Sequence, residues 1–382
     1  MKPSASNTDL IIAGGGPAGL YLGGLMLTKG FSVTILEKRK SIDLHSKALG
    51  IHPVSLELFE EAGIEKPFVS NGIKIHKGFA FIDRKKIGAI NFEKDCPEPF
   101  NFILALPQHK TEEYLQNWVH SLNPDALIRG AEVIDFTESK NGVRVHAEYD
   151  GQKIELNCKY LIGCDGKESI VRKKSDIKYE GSKYPDTYIM GDFDDNTDFG
   201  KDAAVYLHRD GLIECFPLPG KKRRWVFKTD QFIDNLKRTD IELRAEKRLG
   251  HNLHGLENTM LSSFGVQHFM AESFHKGRIL LAGDSAHVVS PIGGQGMNLG
   301  WINGKRLTSF LESALNNPEE RDQLFKKYTF EGKKFASQIA RRAEQNMWLG
   351  RKRSVPVFRN ILARAIVQTP VSKIAARKFT MR

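Results

Sequence analysis

The segment Thr8–Lys38, TDLIIAGGGPAGLYLGGLMLTKGFSVTILEK, decides the fold. An apolar run ends in three glycines, a helix-compatible stretch follows, and a second apolar run closes on Glu37. That order predicts strand, turn, helix and strand, one βαβ unit. Gly14, Gly16 and Gly19 stand at G-x-G-x-x-G spacing. Without side chains they permit a tight turn, close approach of a pyrophosphate, and close packing of helix on strand. Pro17 suits the first helical position, where its missing N–H would have no helical partner. Glu37 lies 23 residues after Gly14, where a carboxylate can accept both ribose hydroxyls of an adenine dinucleotide. NAD and FAD are both open at this point.

Two later stretches repeat the design of a strand that ends in an acid. KYLIGCDGKESIVRKK, residues 159–174, runs into Asp165-Gly166, with Ser169 and Arg172 following. RILLAGDSAHVVSPIGGQGMNLG, residues 278–300, runs into Gly283-Asp284 and then into Gly293, Gly294 and Gly296 before a helix-like pattern. Such carboxylates are suited to accept hydrogen bonds from a sugar-alcohol chain, and bare backbone N–H groups at a helix start can hold an electron-rich ring edge.

On these residues the chain resembles the class A flavoprotein monooxygenases, the family of para-hydroxybenzoate hydroxylase and the ubiquinone-pathway hydroxylases. The resemblance covers the N-terminal dinucleotide motif, Asp165-Gly166, the GDxAHxxxPxGGQGxN pattern from Gly283 to Asn298, and GLIECFPLPG at residues 211–220, in family order. It implies FAD as cofactor and NADPH or NADH as reductant. Gly14, Gly16, Gly19, Glu37 and the adjacent Lys38 would serve the ADP half, with Val133 near adenine. Asp165 and Asp284 would serve the ribityl or pyrophosphate, and Gly294, Gly296, Met297 and Asn298 the isoalloxazine. Gln108 and Lys47 match positions near the flavin, Lys47 standing where many members carry arginine; a lysine keeps the charge but loses the planar fork. Asn303-Gly304 likewise replaces a usual Asp-Ala.

The implied fold is α/β: an FAD-binding Rossmann-like domain (residues 1–72, 99–176 and 270–331), an inserted, mainly antiparallel β-sheet substrate domain (73–98 and 177–269), and a basic C-terminal helical region (332–382). The implied chemistry is transfer of one oxygen atom from O2, through a flavin C4a-hydroperoxide, to an aromatic (phenolic or quinol-precursor) or lipophilic small molecule. Pro291, Gly293 and Gly294 are the candidates for shaping a dry oxygen pocket. In AAVYLHRDGLIECFPLPGKKRRWVF, residues 203–227, period two puts Tyr206 with His208 and Phe216 with Glu214. Tyr206, Phe216, Pro217 and Phe227 are candidate substrate contacts. His208 is a candidate base for a phenol, against the plainer reading of an exposed turn neighbour. GKKRR, residues 220–224, reads as a solvated hairpin turn rather than a nucleic-acid patch.

Composition narrows the alternatives. No run of about 18 uncharged apolar residues occurs and no signal-peptide pattern opens the chain, so a cytoplasmic location is expected. The cysteines Cys96, Cys158, Cys164 and Cys215 lack C-x-x-C spacing, which argues against structural zinc; no metal site is expected. The net charge of +11 is uneven: 13 Lys/Arg against Glu344 alone lie beyond Glu331. H-E-x-x-H, G-x-S-x-G and P-loop patterns are absent. A prenyl-lipid reductase and a non-catalytic lipid-binding module share the same FAD motifs and stand as alternatives. The tail VPVFRNILARAIVQTPVSKIAARKFTMR, residues 355–382, alternates apolar and basic residues; packing over the flavin domain and peripheral membrane contact are its two readings.

Overall fold

Leu10, Ile11 and Ile12 are fully buried in the strand Asn7–Ala13, at the centre of the first sheet. A strand covered on both faces needs a continuous apolar run, and this one has it. The strand pairs in parallel with Gln152–Gly163 on one side and Val33–Glu37 on the other, Leu10 standing opposite both Tyr160 and Val33. Ile279–Leu281 and Leu127–Arg129 extend the parallel core, and Ala131–Glu138 and Val143–Tyr149 continue it as an antiparallel meander. The computed structural model describes residues 7–44, 48–352 and 356–382.

The helix Pro17–Thr28 is buried along most of its length between this sheet and the helices Gln108–Leu122 and Gln295–Asn316. Its glycines let those neighbours approach: a Cβ on Gly24 would lie 2.2 Å from the Trp118 ring. One hydrophobic core unites the sheet with these helices and with Phe325 and Tyr328 of the long helix Arg321–Gly350.

The second sheet has eight strands, running His287–Val288, Asn258–Ala271, Tyr179–Asp194, Lys222–Thr229, Gly211–Leu218, Ala203–His208, Lys77–Ile82, Lys85–Asn91. All its pairings are antiparallel except Ala203–His208 with Lys77–Ile82, where the chain returns from a distant segment. Its outer face carries Tyr206, Ile213, Trp225 and Phe227 and is closed by the helix Arg238–Leu249 through Ile241 and Ala245. Its inner face looks toward the first sheet. Ile73–Ile75 belongs to neither large sheet; with Gly50–Ile51 and Ile103–Ala105 it forms a small third one.

Past the long helix, Val357–Gln368 and Val371–Phe379 pack on the edge strand Lys85–Asn91, so the tail covers the second sheet rather than the first. Ala363 joins Ile82 and Ile87, and glycine at 88 makes room for Val367, which a Cβ there would meet at 3.0 Å. The chain returns toward the first sheet only at its end, where Met381 joins Val289 and Leu299, and Arg382 pairs with Glu57. Buried Arg359 holds the penultimate helix in place by donating to the carbonyls of Leu207 and His208 at 3.0 and 3.2 Å. Among the described residues no helix is long and apolar enough to cross a membrane.

GKKRR departs from its sequence reading. Lys221 takes the turn, with φ 55°, but Arg223 and Arg224 lie inside the strand Lys222–Thr229, both buried. Each has a carboxylate partner, Asp195 at 2.9 Å and Asp192 at 2.7 Å. A buried guanidinium is tolerable only when paired in this way.

Candidate functional site

A cavity of about 1470 Å³ lies between the two large sheets, open at the C-terminal ends of the parallel strands. Ligands collect there in parallel sheets because strand ends, helix N-termini and crossover turns converge.

At the first strand end Gly14 has φ +105°, and a Cβ would stand 2.3 Å from the Cys164 carbonyl oxygen. A Cβ on Gly16 would meet nothing within 4 Å, since that position faces the cavity. Gly19 does not line the cavity; it packs under the Gly14 carbonyl, where a Cβ would come to 2.0 Å. Backbone access at one glycine and close packing at another are what a pyrophosphate cradle requires.

The Glu37 carboxylate sits beside this turn, accepting the Gly15 N–H at 2.7 Å, the Arg39 N–H at 2.9 Å and Arg39 Nε at 3.0 Å. Burial alone would raise its pKa, but these hydrogen bonds and the guanidinium charge outweigh it and hold the group below the usual carboxylate range. Arg39, two residues after Glu37, was not anticipated. It fixes the orientation of the acid. Lys38 and Val133 also line this part, Lys38 lying 3.6 Å from Glu132.

Asp165 lies two residues past the strand Gln152–Gly163. Its Oδ2 accepts the N–H groups of Ile170 and Val171 at 2.7 and 3.1 Å, while Oδ1 is buried with no partner. Burial raises its pKa in spite of those bonds. A carboxylate with one oxygen committed and the other bare, facing a cavity, is fitted to accept a ligand hydroxyl. Asp284 is open to the cavity on one side; desolvation by the surrounding walls still pushes it up, to about 6.

Pro291, Gly293, Gly294, Gly296 and Met297 line the middle of the cavity. Gly293 and Gly294 have φ of +90° and +67°, left-handed conformations that leave the backbone bare before the helix Gln295–Asn316. Asn298 does something other than line the cavity. Its Oδ1 accepts the His52 N–H at 2.8 Å, and its Nδ2 donates to the carbonyls of Gly50 and Gly294 at 2.9 and 2.8 Å, tying the glycine loop to the third sheet. His52 was also missed. It is buried against Gly294, and burial drives its pKa down to about 4, so the ring is neutral. Gln108 lines the cavity and donates to Glu112 at 2.9 Å. Lys47 lies outside the described residues. Asn303, in place of the usual aspartate, is buried, donates to His287 Nε2 at 2.8 Å and accepts from Arg306.

The inner face of the second sheet forms the far wall. Val205, Glu214, Val226 and Met190 make one cross-strand row, and Phe216, Arg224 and Asp192 the next. Ile366, Val367 and Phe379 of the tail complete the enclosure. Of the four candidate substrate contacts only Phe216 lines the cavity. Tyr206 and Phe227 point the other way, Tyr206 stacking on Phe81 with centroids 4.4 Å apart, and Pro217 is on the face opposite Phe216. His208 also lies outside the cavity, as period two from Tyr206 demands. It is held at a hairpin end, Nδ1 accepting the Asp210 N–H at 3.1 Å, and burial lowers its pKa against the pull of Asp83 and Asp210. It cannot reach a ligand in the cavity.

The profile of the family described as "FAD binding domain" matches residues 7–343. An uncharacterized aromatic compound monooxygenase of Bacillus subtilis strain 168 is 31% identical over 80% of this chain and 62% of its own length. The 6-methylpretetramide 4-monooxygenase of Streptomyces rimosus is 28% identical over 87% of this chain and 60% of its own length. The chain thus spans about three fifths of such relatives. Among solved structures, the anhydrotetracycline hydroxylase of Streptomyces rimosus superposes with a TM-score of 0.82 at 25% identity, covering 98% of this chain and 76% of that one. The p-nitrophenol 4-monooxygenase of Pseudomonas putida gives 0.86 at 17% identity, covering 98% and 97%, a likeness of fold alone.

Proposed function

Because the chain belongs to the FAD binding domain family, we propose that it is an FAD-dependent monooxygenase that hydroxylates a small aromatic molecule. FAD is its cofactor, and NADPH or NADH is the proposed reductant. The observation that carries the reading is the single cavity that joins a dinucleotide cradle at Gly14, Gly16 and Glu37 to an apolar chamber at Val205, Phe216 and Val226.

Bound and reduced, FAD would supply the electrons that activate dioxygen, and dioxygen the oxygen atom that enters the ring. The chain supplies position and dryness. Glu37, fixed by Arg39, accepts ribose hydroxyls; the bare Oδ1 of Asp165 and the carboxyl of Asp284 accept hydroxyls further along the ligand. Gly293 and Gly294 present backbone without side chains, and Pro291 beside them adds an uncharged wall. The tail helices close the substrate side and exclude water. In this proposal residues 1–72, 99–176 and 270–331 hold the cofactor, 73–98 and 177–269 the substrate, and 332–382 form the cover.

The relatives' names support an aromatic substrate: an aromatic compound in Bacillus subtilis, a pretetramide in Streptomyces rimosus. A panel of phenols and fused-ring phenols should stimulate NAD(P)H oxidation by the FAD-loaded protein. Consumption of reductant that yields only hydrogen peroxide, with every member, would reject oxygenation. Peripheral contact with anionic lipid is a further proposal, supported by exposed Val357, Phe358 and Ile361 near exposed Arg364, Lys373 and Arg377. Sedimentation with phosphatidylserine vesicles, lost on removing residues 356–382, would support it; equal sedimentation without them would not.

A further inference from the structure

On the inner face of the second sheet the carboxylates of Asp192 and Asp186 are committed. Asp192 takes both Nε and Nη2 of Arg224, at 2.7 and 2.8 Å. Asp186 is buried and binds Arg351, just past the end of the long helix, at 2.7 Å, with Lys228 at 3.5 Å. Glu214 is different. It stands mid-strand in Gly211–Leu218, in a row with Val205 on one side and Val226 on the other, and its side chain lines the cavity.

A carboxyl flanked by β-branched side chains is costly to ionise, and among the described residues Glu214 has no ion-pairing partner to offset that cost. Among the described residues, Arg342 on the long helix and Lys378 on the last helix reach the cavity wall without a carboxylate partner, as does Lys167 beside Asp165, and across the sheet Tyr188 has a buried hydroxyl without a partner. Lys183 and Tyr184 lie further along the strand Tyr179–Asp194, Tyr184 donating to Glu344. An acid in such a wall stabilises nothing in the fold. It is explicable if a ligand supplies the missing partner.

We propose that Glu214 is the residue that takes the hydrogen bond, and then the proton, of a phenolic hydroxyl on the bound substrate, an assignment that rests on the aromatic-hydroxylation reading above. The phenol O–H bond breaks, its electron pair stays on oxygen and enriches the ring, and an O–H bond forms on Glu214; nothing is oxidised or reduced in the step. The proton returns to oxygen when the product regains its phenol. Burial pushes Glu214 up to about 7, close to the pKa of acidic phenols, so the proton moves with little cost in either direction. This is the role that the sequence had suggested for His208, which faces the wrong side of the same sheet.

The test is a binding titration of oxidised, FAD-loaded protein with 4-nitrophenol, followed through the phenol's own absorbance. It involves no turnover, so its outcome is separate from whether oxygen is inserted. Well above the pKa of both groups, at about pH 8 to 9.5, a complex with Glu214 must take up one proton, and affinity should fall by about tenfold per pH unit. In Glu214→Gln the amide N–H donates to the phenolate, and the fall should shrink to about twofold or less per unit. Glu214→Asp, which keeps the acid, should keep the steep slope. Flavin absorbance checks folding, and thermal midpoints provide a second readout: an unpartnered acid predicts that Glu214→Gln melts higher than the parent at about pH 8. Equal slopes in the parent and Glu214→Gln, or no saturable binding of the phenol, would overturn the assignment. If phenols are oxygenated while the slopes are equal, the Glu214 role fails and the enzymatic reading survives.

Discussion

At the scale of single residues, the cavity's chemistry rests on which polar atoms the protein leaves unmatched. Asp165 caps a helix with one oxygen and offers the other. Asp165→Asn preserves an acceptor for Ile170 and Val171 but turns an N–H into the cavity. FAD affinity, measured by fluorescence titration of the apoprotein, should drop by about ten- to a hundredfold, the value of one charge-assisted hydrogen bond, while the unfolding midpoint barely moves. An unchanged affinity would remove Asp165 from the cofactor site. His287 gives a pH-dependent prediction. It is buried, accepts from Asn303, and has a pKa driven down to about 4 by burial. The unfolded chain therefore binds a proton that the folded one refuses, so its contribution is intact above about pH 6.5 and is lost as pH falls toward 4. In urea unfolding, the stability gap between the parent and His287→Gln should be widest at about pH 7.5 and narrow by about 2 kcal/mol by about pH 5. A gap that stays constant would mean His287 is not neutral in the fold. Glycines and acids were the legible residues, since backbone access and hydroxyl acceptance name their residue types. His52 and Glu112 were not legible, because what places them at the site is the packing of other segments, and Arg39, though only two residues from Glu37, belongs to no motif that would single it out.

At the scale of elements, alternation was readable and its direction was not. Period two correctly pairs Tyr206 with His208 and Phe216 with Glu214, but both faces of that sheet are apolar, one closed by the helix Arg238–Leu249 and the other by the cavity. Nothing local tells them apart. The same limit explains GKKRR, where burial of Arg223 and Arg224 depends on Asp195 and Asp192, residues far along the chain. The tail's helicity was evident from its pattern, whereas its partner, the edge strand Lys85–Asn91, was not. Arg359 should anchor that docking, since its guanidinium holds two carbonyls at the hairpin end. Arg359→Ala removes bonds worth about 2–3 kcal/mol together with the packing of the stem. Tryptic cleavage between the long helix and residue 357 should accelerate by more than about tenfold with FAD still bound. Unchanged cleavage would show that the tail is held by its apolar contacts alone.

At the scale of the whole molecule, the basic excess beyond Glu331 has a partly internal explanation. Arg351 pairs with Asp186, Lys352 with Asp230 and Arg382 with Glu57, and Arg359 is buried. Cations on the cover meet acids on the body. The first sheet was legible because its motifs are contiguous and each carries a physical reason for its residue types. The substrate chamber was not, since its wall is assembled from most strands of the second sheet, a long helix and the C-terminal helices, brought together only by the fold. The central claim is that one cavity joins reduced flavin, dioxygen and an aromatic ring. It is tested most directly by turning over the FAD-loaded protein with NAD(P)H and a stimulating phenol under isotopically heavy dioxygen, then weighing the product. One heavy oxygen atom per new hydroxyl is the predicted result; a hydroxylated product carrying only oxygen from water, or a reduced product with none added, would contradict it.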